Sequence, residues 1–354
     1  MIFDSESVFE ENVITVLKQH GWKDGVLRYP TERDLLDNWK GILYRNNNDI
    51  DRLGKYPLTD GEMTQIIEQI ETLRTPLALN SFVNGRTVSI TRDNKEDVAH
   101  FGKEVSLYIY DRKEIAGGKS TYQIAQQPVY PAKNKMLNSR RGDLVLLING
   151  MPLIHIELKK SGIPVSQATN QIEKYAHEGV FTGLFRLVQI FVAMNPDDAV
   201  YFANPGVDKF NPSYYFHWAD YNNEPICGGQ NPGKDEWKLF IGGTSGTAGL
   251  LSIPMAHQLI GFYTIADSAD GCLKVLRSYQ YIAANAISDV VRKCDWEQRP
   301  ATPGRPGGYV WHTTGSGKTM TSFKSAQLIA DSHDADKVVF LMDRIELGTP
   351  VSYT

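Results

Sequence analysis

The sequence has few cysteines and no strong excess of charge. Its three cysteines, Cys227, Cys272 and Cys294, are scattered through 354 residues and form no C-x-x-C pair. This spacing gives neither a disulfide framework nor a cysteine-based zinc site, and it fits a reducing compartment. The net charge of −4 gives no global sign of nucleic-acid binding, so such a role would need a local basic surface.

The sequence has no long apolar run, and we expect no secretory leader. No apolar run reaches the length of a membrane span, and the acidic N-terminal stretch has a helical pattern, unlike a signal peptide. We therefore expect a cytoplasmic protein with no membrane partner. Hydrophobic residues at 42% and charged residues at 22% are typical of a folded globular protein, and the length allows two domains.

The first part of the chain contains both helical and strand-like apolar patterns. Helical spacing predicts helices over residues 5–20, 60–75 and 166–178. Short β-rich runs predict strands between residues 80 and 160 and again within residues 186–204. Residues 204–250 are rich in Gly, Pro and Asn, so we expect loops there.

A second pattern begins near residue 255. Residues 273–294 are predicted to be helical, and "GGYVW" (307–311) and "KVVFLMD" (337–343) are predicted to be strands on either side of a glycine-rich turn and a helix. This order is the start of a parallel α/β unit. Because each βαβ unit takes about 30 residues or more, we expect an incomplete second domain. The predicted domains are residues 1–255 and 256–354.

The segment "HTTGSGKT", His312–Thr319, predicts a phosphate-binding loop. A glycine-rich turn between a strand and a helix points backbone N–H groups at phosphate oxygens. Lys318 would reach the β and γ phosphates of ATP, and the Thr319 hydroxyl would bind Mg²⁺. The first position is His312 and not the usual Gly, and a loop with an incidental lysine is the less favoured alternative. The predicted nucleotide-binding residues of the loop are Thr314, Gly315, Ser316, Gly317, Lys318 and Thr319.

Upstream, "LRSYQYIAANAI" places Gln280 some 30 residues before this loop. A glutamine side chain can hydrogen-bond both N6 and N7 of adenine, which would select ATP. An amphipathic helix with an exposed glutamine is the alternative, and the nearby loop favours the adenine interpretation.

The stretch "GDLVLLINGMPLIHIELKK" predicts a β-hairpin around Asn149-Gly150. Side chains alternate along a strand, so Glu157 and Lys159 share one face. A two-residue turn would place Asp143 opposite Ile156. A three-residue connection or a one-residue bulge would instead place Asp143 opposite Glu157, so the pattern leaves the register open.

If Asp143 and Glu157 converge, their carboxylates could hold a divalent metal, with Lys159 beside them. A strand end that simply surfaces into water is the alternative. The following helix favours chemistry, because Gln171 and Tyr175 are four residues apart and lie on one of its faces. His155, on the face of Glu157, is expected to be a packing residue.

Basic residues surround Asp143 in the sequence. They occur in "AKNK" (132–135), in "NSRR" (138–141) and at Lys159-Lys160. They could neutralise DNA phosphates, although basic loops are commonly only solvated.

Taken in order, "RRGDLVLLINGMPLIHIELKK", "QATNQIEKY", "LVQIFVAMNPDDAVYFAN", "LRSYQYIAANAI" and "GGYVWHTTGSGKTMTSF" resemble the restriction (motor and nuclease) subunit of type I restriction–modification enzymes. The resemblance covers residues 5–347. It implies a PD-(D/E)xK nuclease domain, a mixed sheet flanked by helices, followed by a superfamily 2 helicase-like motor of two RecA-like lobes. It also implies ATP-driven translocation and Mg²⁺-dependent cleavage of double-stranded DNA, with separate methyltransferase and specificity subunits as partners.

The resemblance implies roles for individual residues. Asp143 and Glu157 would be metal ligands, Lys159 the catalytic lysine, and Gln171 and Tyr175 the accompanying Q-x-x-x-Y motif. Glu10, on the first helix, would complete the metal site. The given sequence ends at "GTPVSYT", shortly after the segment that follows the motor's first helix. The acidic Mg²⁺-binding motif and the second lobe that the resemblance implies are not in it, so we expect this chain alone not to hydrolyse ATP.

Three functions are therefore open. The favoured one is an ATP-dependent type I site-specific deoxyribonuclease subunit. The second is a DNA-translocating or remodelling ATPase whose nuclease-like domain only binds DNA. The third is a non-enzymatic module that docks other subunits.

Overall fold

The computed structural model describes residues 2–115, 117–131, 140–267, 271–293 and 307–341. Its α-helices are α1 (Glu6–Gln19), α2 (Glu32–Asn46), α3 (Asp60–Thr72), α4 (Pro76–Asn84), α5 (Val165–His177), α6 (Glu236–Gly242), α7 (Met255–Phe262), α8 (Ser278–Lys293) and α9 (Lys318–Ser332). Its strands are β1 (Val26–Arg28), β2 (Thr87–Thr91), β3 (Glu104–Tyr108), β4 (Tyr122–Gln126), β5 (Leu144–Ile148), β6 (Met151–Leu158), β7 (Ile190–Met194), β8 (Ala199–Ala203), β9 (Thr264–Asp267) and β10 (Cys272–Val275).

A six-stranded mixed sheet, in the order β1-β4-β5-β6-β7-β8, lies at the centre of the fold. β1 pairs in parallel with β4, and β6 pairs in parallel with β7, while the other neighbours are antiparallel. Every residue of the five strands from β4 to β8 is buried. The expected mixed α/β sheet with flanking helices is confirmed at this level, and two hairpins, β2-β3 and β9-β10, accompany it.

Two of the three predicted helices, α1 and α3, begin at a polar side chain that caps them. The Ser5 hydroxyl accepts the Val8 N–H at the start of α1, and Thr59 forms a capping box with Glu62 at the start of α3. α1 then buries Phe9 and other apolar residues on one face. The three predicted helices correspond to α1, α3 and α5.

Some elements were not predicted. α2 begins with a capping box between Thr31 and Asp34, and this T-x-x-D pattern is visible in the sequence. α4, α7 and strands β1 and β9 were also missed, and the loop-rich residues 204–250 contain α6.

The helix predicted over residues 273–294 starts later, at Ser278. Residues 272–275 instead form β10, which pairs with β9. The physical reason is the alternation of this run: Leu273 and Val275 are buried while the residues between them are not, which is a period of two and not of 3.6.

The two strands predicted around the phosphate loop are not strands in the described segments 307–311 and 337–341. Tyr309 and Trp311 are exposed, as are Val339 and Leu341. A parallel strand needs a hydrogen-bonded neighbour and cover on both faces, and neither segment has them in the described structure. Residues 342–343 of the second predicted strand lie outside the described residues.

One hydrophobic core extends through the described chain from Phe3 to Leu276. It includes Leu259 of α7 and Leu273 of β10, which therefore pack with the residues that precede them. The predicted division between residues 255 and 256 remains a prediction. Among the described residues, no helix has both the length and the apolar character that a membrane span requires.

Candidate active site

The hairpin that carries the site turns at Asn149 and Gly150. Both residues have positive φ angles, 52° and 83°, as a two-residue type I′ turn requires. A Cβ atom at Gly150 would lie 2.9 Å from the Cα atom of Trp39 on α2. The turn therefore needs glycine for its backbone angle and for its close approach to α2.

A β-bulge sets the register of this hairpin. Near the turn Leu147 pairs with Pro152, but farther away Leu144 pairs with Ile156, and the register shifts between Leu146 and Leu147. β6 thus takes up one extra residue. Continued by one position, the outer register places Asp143 opposite Glu157, which is the arrangement that the sequence had left open.

Asp143, Glu157 and Lys159 are brought together at this end of the hairpin. The Asp143 Oδ2 atom accepts the N–H of Leu158 at 2.7 Å. The Lys159 Nζ atom lies 3.6 Å from Glu157 Oε1 and also 3.6 Å from Glu6 Oε1, and it donates to the Leu158 carbonyl at 2.8 Å.

Glu157 is fully buried, and among the described residues neither of its carboxylate oxygens has a hydrogen-bond partner. A buried carboxylate without donors is costly unless a cation compensates its charge. With Asp143 it offers hard oxygen atoms of the kind that Mg²⁺ binds, commonly through one or two carboxylates with water completing the shell. The two residues therefore fit a divalent metal.

Burial dominates the protonation of this site. Burial raises the pKa of Glu157 to about 8, although the nearby Lys159 ammonium opposes the shift. Burial, and then the neighbouring Glu157 charge, raise the pKa of Asp143 well above its ordinary value. The raised pKa values of these two adjacent carboxyl groups indicate an environment that disfavours their negative charges and would favour a bound cation.

His155 lies on the same face and is fully buried. Its Nδ1 atom is 2.8 Å from the Tyr130 hydroxyl, and its Nε2 atom is 3.3 Å from Glu157 Oε2. Burial lowers the pKa of His155 to about 4, so its ring is neutral near pH 7. It packs beneath the carboxylates, and Tyr130, whose role the sequence did not indicate, orients it.

Glu10 reaches the site from α1 and is held by two glutamines that follow one another at the end of β4. Gln126 Nε2 donates to Glu10 Oε1 at 2.5 Å, and Gln127 Nε2 lies 3.3 Å from both Glu10 oxygens. Burial raises the pKa of Glu10, and these amides oppose the shift. Sequence reasoning missed both glutamines.

The expected three-ligand set is not assembled. Across the described ranges of the chain, no three His, Cys, Asp or Glu side chains form a group that could hold a metal ion. The structure thus brings Asp143 and Glu157 together without gathering Glu10 as a third direct ligand.

Gln171 and Tyr175 act on the backbone beside the carboxylates. Gln171 Nε2 donates to the Tyr175 hydroxyl at 2.7 Å, and that hydroxyl donates to the Arg141 carbonyl at 2.9 Å. Arg141 is two residues before Asp143. The pair therefore supports the chain that enters the site, and neither of these two hydrogen bonds goes to the carboxylates.

The basic residues near the site are only partly described. Arg140 forms a two-bond ion pair with Glu178 at 2.8 and 2.9 Å, while Arg141 is exposed. The "AKNK" segment and the first half of "NSRR" lie outside the described residues.

Gln280 and the phosphate loop lie against each other. Gln280 is buried, and its Nε2 atom donates to the carbonyls of Ser316 and Gly317 at 3.2 and 3.3 Å. A Cβ atom on Gly317 would lie 2.4 Å from that nitrogen, so the contact requires glycine. Lys318 Nζ donates to the Thr313 carbonyl at 2.9 Å, and Thr319 is exposed at the start of α9.

A cavity of about 220 Å³ opens beside these residues. Its walls include Gln280 and loop residues Gly315 to Gly317, together with Phe216 and Arg277. The Arg277 guanidinium lies 4.4 Å above the Phe216 ring. The side chain predicted to select adenine and the loop predicted to hold phosphate therefore border one space.

Two protein families match this chain. The family described as type I restriction enzyme R protein N terminus (HSDR_N) matches residues 4–210. The family described as SWI2/SNF2 ATPase matches residues 279–354. The first match contains the hairpin site, and the second contains Gln280 and the phosphate loop.

Relatives along nearly the whole chain are endonuclease subunits of type I restriction enzymes. One from Staphylococcus saprophyticus is 31% identical over 99% of this chain and 33% of its own length. One from Staphylococcus aureus is 32% identical, also over 99% of this chain and 33% of its own length. One from Escherichia coli is 26% identical over 88% of this chain and 90% of its own length. The chain thus spans about a third of the length of the staphylococcal relatives.

Proposed function

The chain belongs to the family of type I restriction enzyme R protein N termini, and from that membership we propose that it carries the nuclease site of a type I restriction endonuclease subunit. The proposed reaction is Mg²⁺-dependent hydrolysis of phosphodiester bonds in double-stranded DNA. The proposed nuclease fold is of the PD-(D/E)xK type, with Asp143, Glu157 and Lys159 as its motif.

One observation carries this proposal. The Glu157 carboxylate is fully buried and has no hydrogen-bond partner among the described residues. It lies next to Asp143 and 3.6 Å from the Lys159 ammonium. A fully buried carboxylate that accepts no hydrogen bond and lies beside a second buried carboxylate is a favourable place for a cation, and this supports the proposed metal site.

The residues of the site have separate roles in this proposal. Asp143 and Glu157 bind the divalent cation, which when bound lowers the pKa of water and offsets phosphate charge. Lys159 places an ammonium where negative charge develops on the phosphate in the transition state. Gln171 and Tyr175 fix the Arg141 carbonyl and so the approach of the chain to Asp143.

The second proposed activity is ATP-driven DNA translocation by the longer protein. Residues 279–354, which match the SWI2/SNF2 ATPase family, would be the start of its RecA-like motor. ATP with Mg²⁺ would bind at Lys318 and Thr319, with its base near Gln280 and the adjoining cavity.

The proposed macromolecular partners are double-stranded DNA and the methyltransferase and specificity subunits of a type I restriction complex. The names of the relatives describe them as endonuclease subunits, and a subunit implies a multi-subunit assembly.

Cleavage and metal binding test the nuclease proposal. We expect Mg²⁺-dependent cleavage of plasmid DNA to be abolished by each of three substitutions, Asp143→Ala, Glu157→Ala and Lys159→Ala. Urea unfolding of each variant checks that it is folded. Lys95→Ala, at an exposed lysine between β2 and β3, serves as the control and should cleave like the parent. If the three folded variants cut like the parent, the nuclease proposal is wrong.

Calorimetric titration with Mn²⁺ separates this proposal from the alternative of an ATPase whose nuclease-like part only binds DNA. We expect the parent to bind Mn²⁺ and Glu157→Ala to lose that binding. Equal titrations of the two proteins would favour the alternative.

A further inference from the structure

Gln127 occupies a defined place in a row of residues across three strands. Gln126 pairs with Leu144 in the β4–β5 ladder, so the next position, Gln127, lies opposite Asp143. Asp143 in turn lies opposite Glu157 in the bulged β5–β6 register. This register places the backbone of Gln127 next to Asp143, one strand away from Glu157.

Gln127 contacts both acidic neighbours at once. Its backbone N–H donates to the Asp143 carbonyl at 2.7 Å. Its side-chain nitrogen lies 3.3 Å from Oε1 and 3.3 Å from Oε2 of Glu10. One residue therefore links the carboxylate that comes from α1 to the strand that carries Asp143.

The backbone of Gln127 has an unfavourable conformation. Its φ angle is 47°, in the left-handed region that residues other than glycine seldom adopt. The next residue is Pro128, and a residue before proline prefers extended backbone. Such a conformation persists only where the surrounding structure imposes it, and it is found preferentially at functional sites.

We propose that Gln127 is a positioning residue of the nuclease metal site, whose left-handed backbone lets its amide hold the Glu10 carboxylate beside Asp143. The inference rests on the proposed function of the preceding subsection. Glu10 is not one of the direct ligands in this proposal, and it would act on a bound cation through its charge. Gln127 contributes no atom to the reaction.

The test is calorimetric titration of Mn²⁺ into the full chain in the absence of nucleotide. Gln127→Gly keeps the left-handed backbone and removes only the amide, so its unfolding midpoint in urea should equal or exceed that of the parent. Its Mn²⁺ affinity should fall roughly tenfold to a hundredfold, as for the loss of an outer-shell partner. Gln127→Asn, which tolerates the same backbone, should recover part of that loss.

Asn223→Gly is the matched control. Asn223 also has a left-handed φ angle, 63°, and it lies in an exposed turn away from the site. Its replacement should relieve the backbone to a smaller extent, because asparagine tolerates this conformation better than glutamine does, and should leave Mn²⁺ affinity unchanged. This comparison separates a role in the site from a general effect of glycine.

A double variant tests whether Gln127 acts through Glu10. On a Glu10→Gln background, Gln127→Gly should cause little further loss of Mn²⁺ affinity. Full affinity in Gln127→Gly, or an equal loss on both backgrounds, would overturn the inference while the nuclease proposal stands. A parent protein that binds no Mn²⁺ would overturn the nuclease proposal and the inference with it.

Discussion

Glu157 lies near the end of an apolar strand and is fully buried there. β6 is central in the sheet, and α1 and α5 pack against it. Strand alternation correctly placed Glu157 and Lys159 on one face. The same alternation could not reveal Gln127 or Tyr130, since their contacts depend on pairing between strands that are distant in sequence.

The burial of Glu157 predicts how metal-free protein responds to pH. Burial raises its pKa from 4.5 to about 8, so in this range the folded state keeps a proton that the unfolded chain releases. The free energy of unfolding should therefore fall as pH rises from about 5 to about 8, by up to about 1.4 kcal/mol per pH unit for one proton. Urea unfolding in EDTA at several pH values measures this change in the free energy of unfolding.

Glu157→Gln removes this titrating group and should flatten the pH dependence, leaving a smaller slope in the same direction from Asp143, whose pKa is also raised. The exposed loop residue Glu224 provides the control, because Glu224→Gln should keep the parental slope. Parallel curves for the parent and Glu157→Gln would show that the Glu157 carboxyl does not titrate in this range.

The Tyr175 hydroxyl group is predicted to contribute both to stability and to DNA cleavage. Its hydrogen bond to the Arg141 carbonyl is 2.9 Å long and partly buried, so Tyr175→Phe should cost about 1 kcal/mol of unfolding free energy. It should also slow DNA cleavage, because the chain leading to Asp143 loses its support. Urea unfolding and plasmid cleavage measure the two effects.

Tyr201→Phe is the matched control for Tyr175→Phe. The Tyr201 hydroxyl donates to the Leu276 carbonyl at 2.9 Å, a bond of the same kind away from the site. Both variants should lose comparable stability, and only Tyr175→Phe should lose more activity than its stability explains. If both lose activity equally, Tyr175 has only a structural role.

At the level of elements, the hairpin shows what a local pattern can and cannot specify. Asn149-Gly150 predicted the turn, and the positive φ angles of both residues confirm it. The bulge between Leu146 and Leu147 could not be read from the sequence, because it depends on how the outer part of β5 pairs with both β4 and β6. Since this bulge decides which residue opposes Asp143, the site depends on it.

Gly150→Ala is expected to damage the hairpin more than an ordinary glycine replacement would. The φ angle of 83° disfavours any side chain, at about 1–2 kcal/mol. The added methyl would also meet the Trp39 backbone at 2.9 Å, and such overpacking costs about 1–3 kcal/mol more. A lower urea midpoint together with weaker Mn²⁺ binding would show that the turn supports the register of the site.

Gly54→Ala isolates the backbone contribution to that effect. Gly54 also has a left-handed φ angle, 52°, but its surroundings are open. Its replacement should destabilise the protein by only the backbone cost and leave Mn²⁺ binding unaltered. Equal losses of stability at the two positions would mean that α2 yields to the added methyl group.

On the scale of the whole molecule, the sequence predicted the first part of the chain better than the second. Residues 86–204 alternate or form apolar runs bounded by turns, and every predicted strand there pairs in the central sheet or a hairpin. "GGYVW" has an apolar pattern too, yet Tyr309 and Trp311 are exposed. An apolar run becomes a strand only where another strand pairs with it, and that condition is not local.

The two candidate sites lie on different elements, and they should therefore fail separately. One is formed at the β5–β6 hairpin with α1 and α5, and the other by Gln280 with the loop before α9. Lys318→Ala is expected to abolish calorimetric binding of a non-hydrolysable ATP analogue with Mg²⁺ while Mn²⁺ binding without nucleotide stays at the parental level. Glu157→Ala should show the reverse, so each variant is the control for the other.

The same titrations test whether the nuclease site and the phosphate loop are energetically coupled. Arg112, from the chain between β3 and β4, pairs with Asp331 near the end of α9 at 3.2 Å, so the phosphate-loop helix is held against the part of the fold that carries the hairpin. If this contact only docks the helix, the two affinities remain independent in the parent. A folded Lys318→Ala protein that also lost Mn²⁺ binding would instead show that the sites are energetically linked.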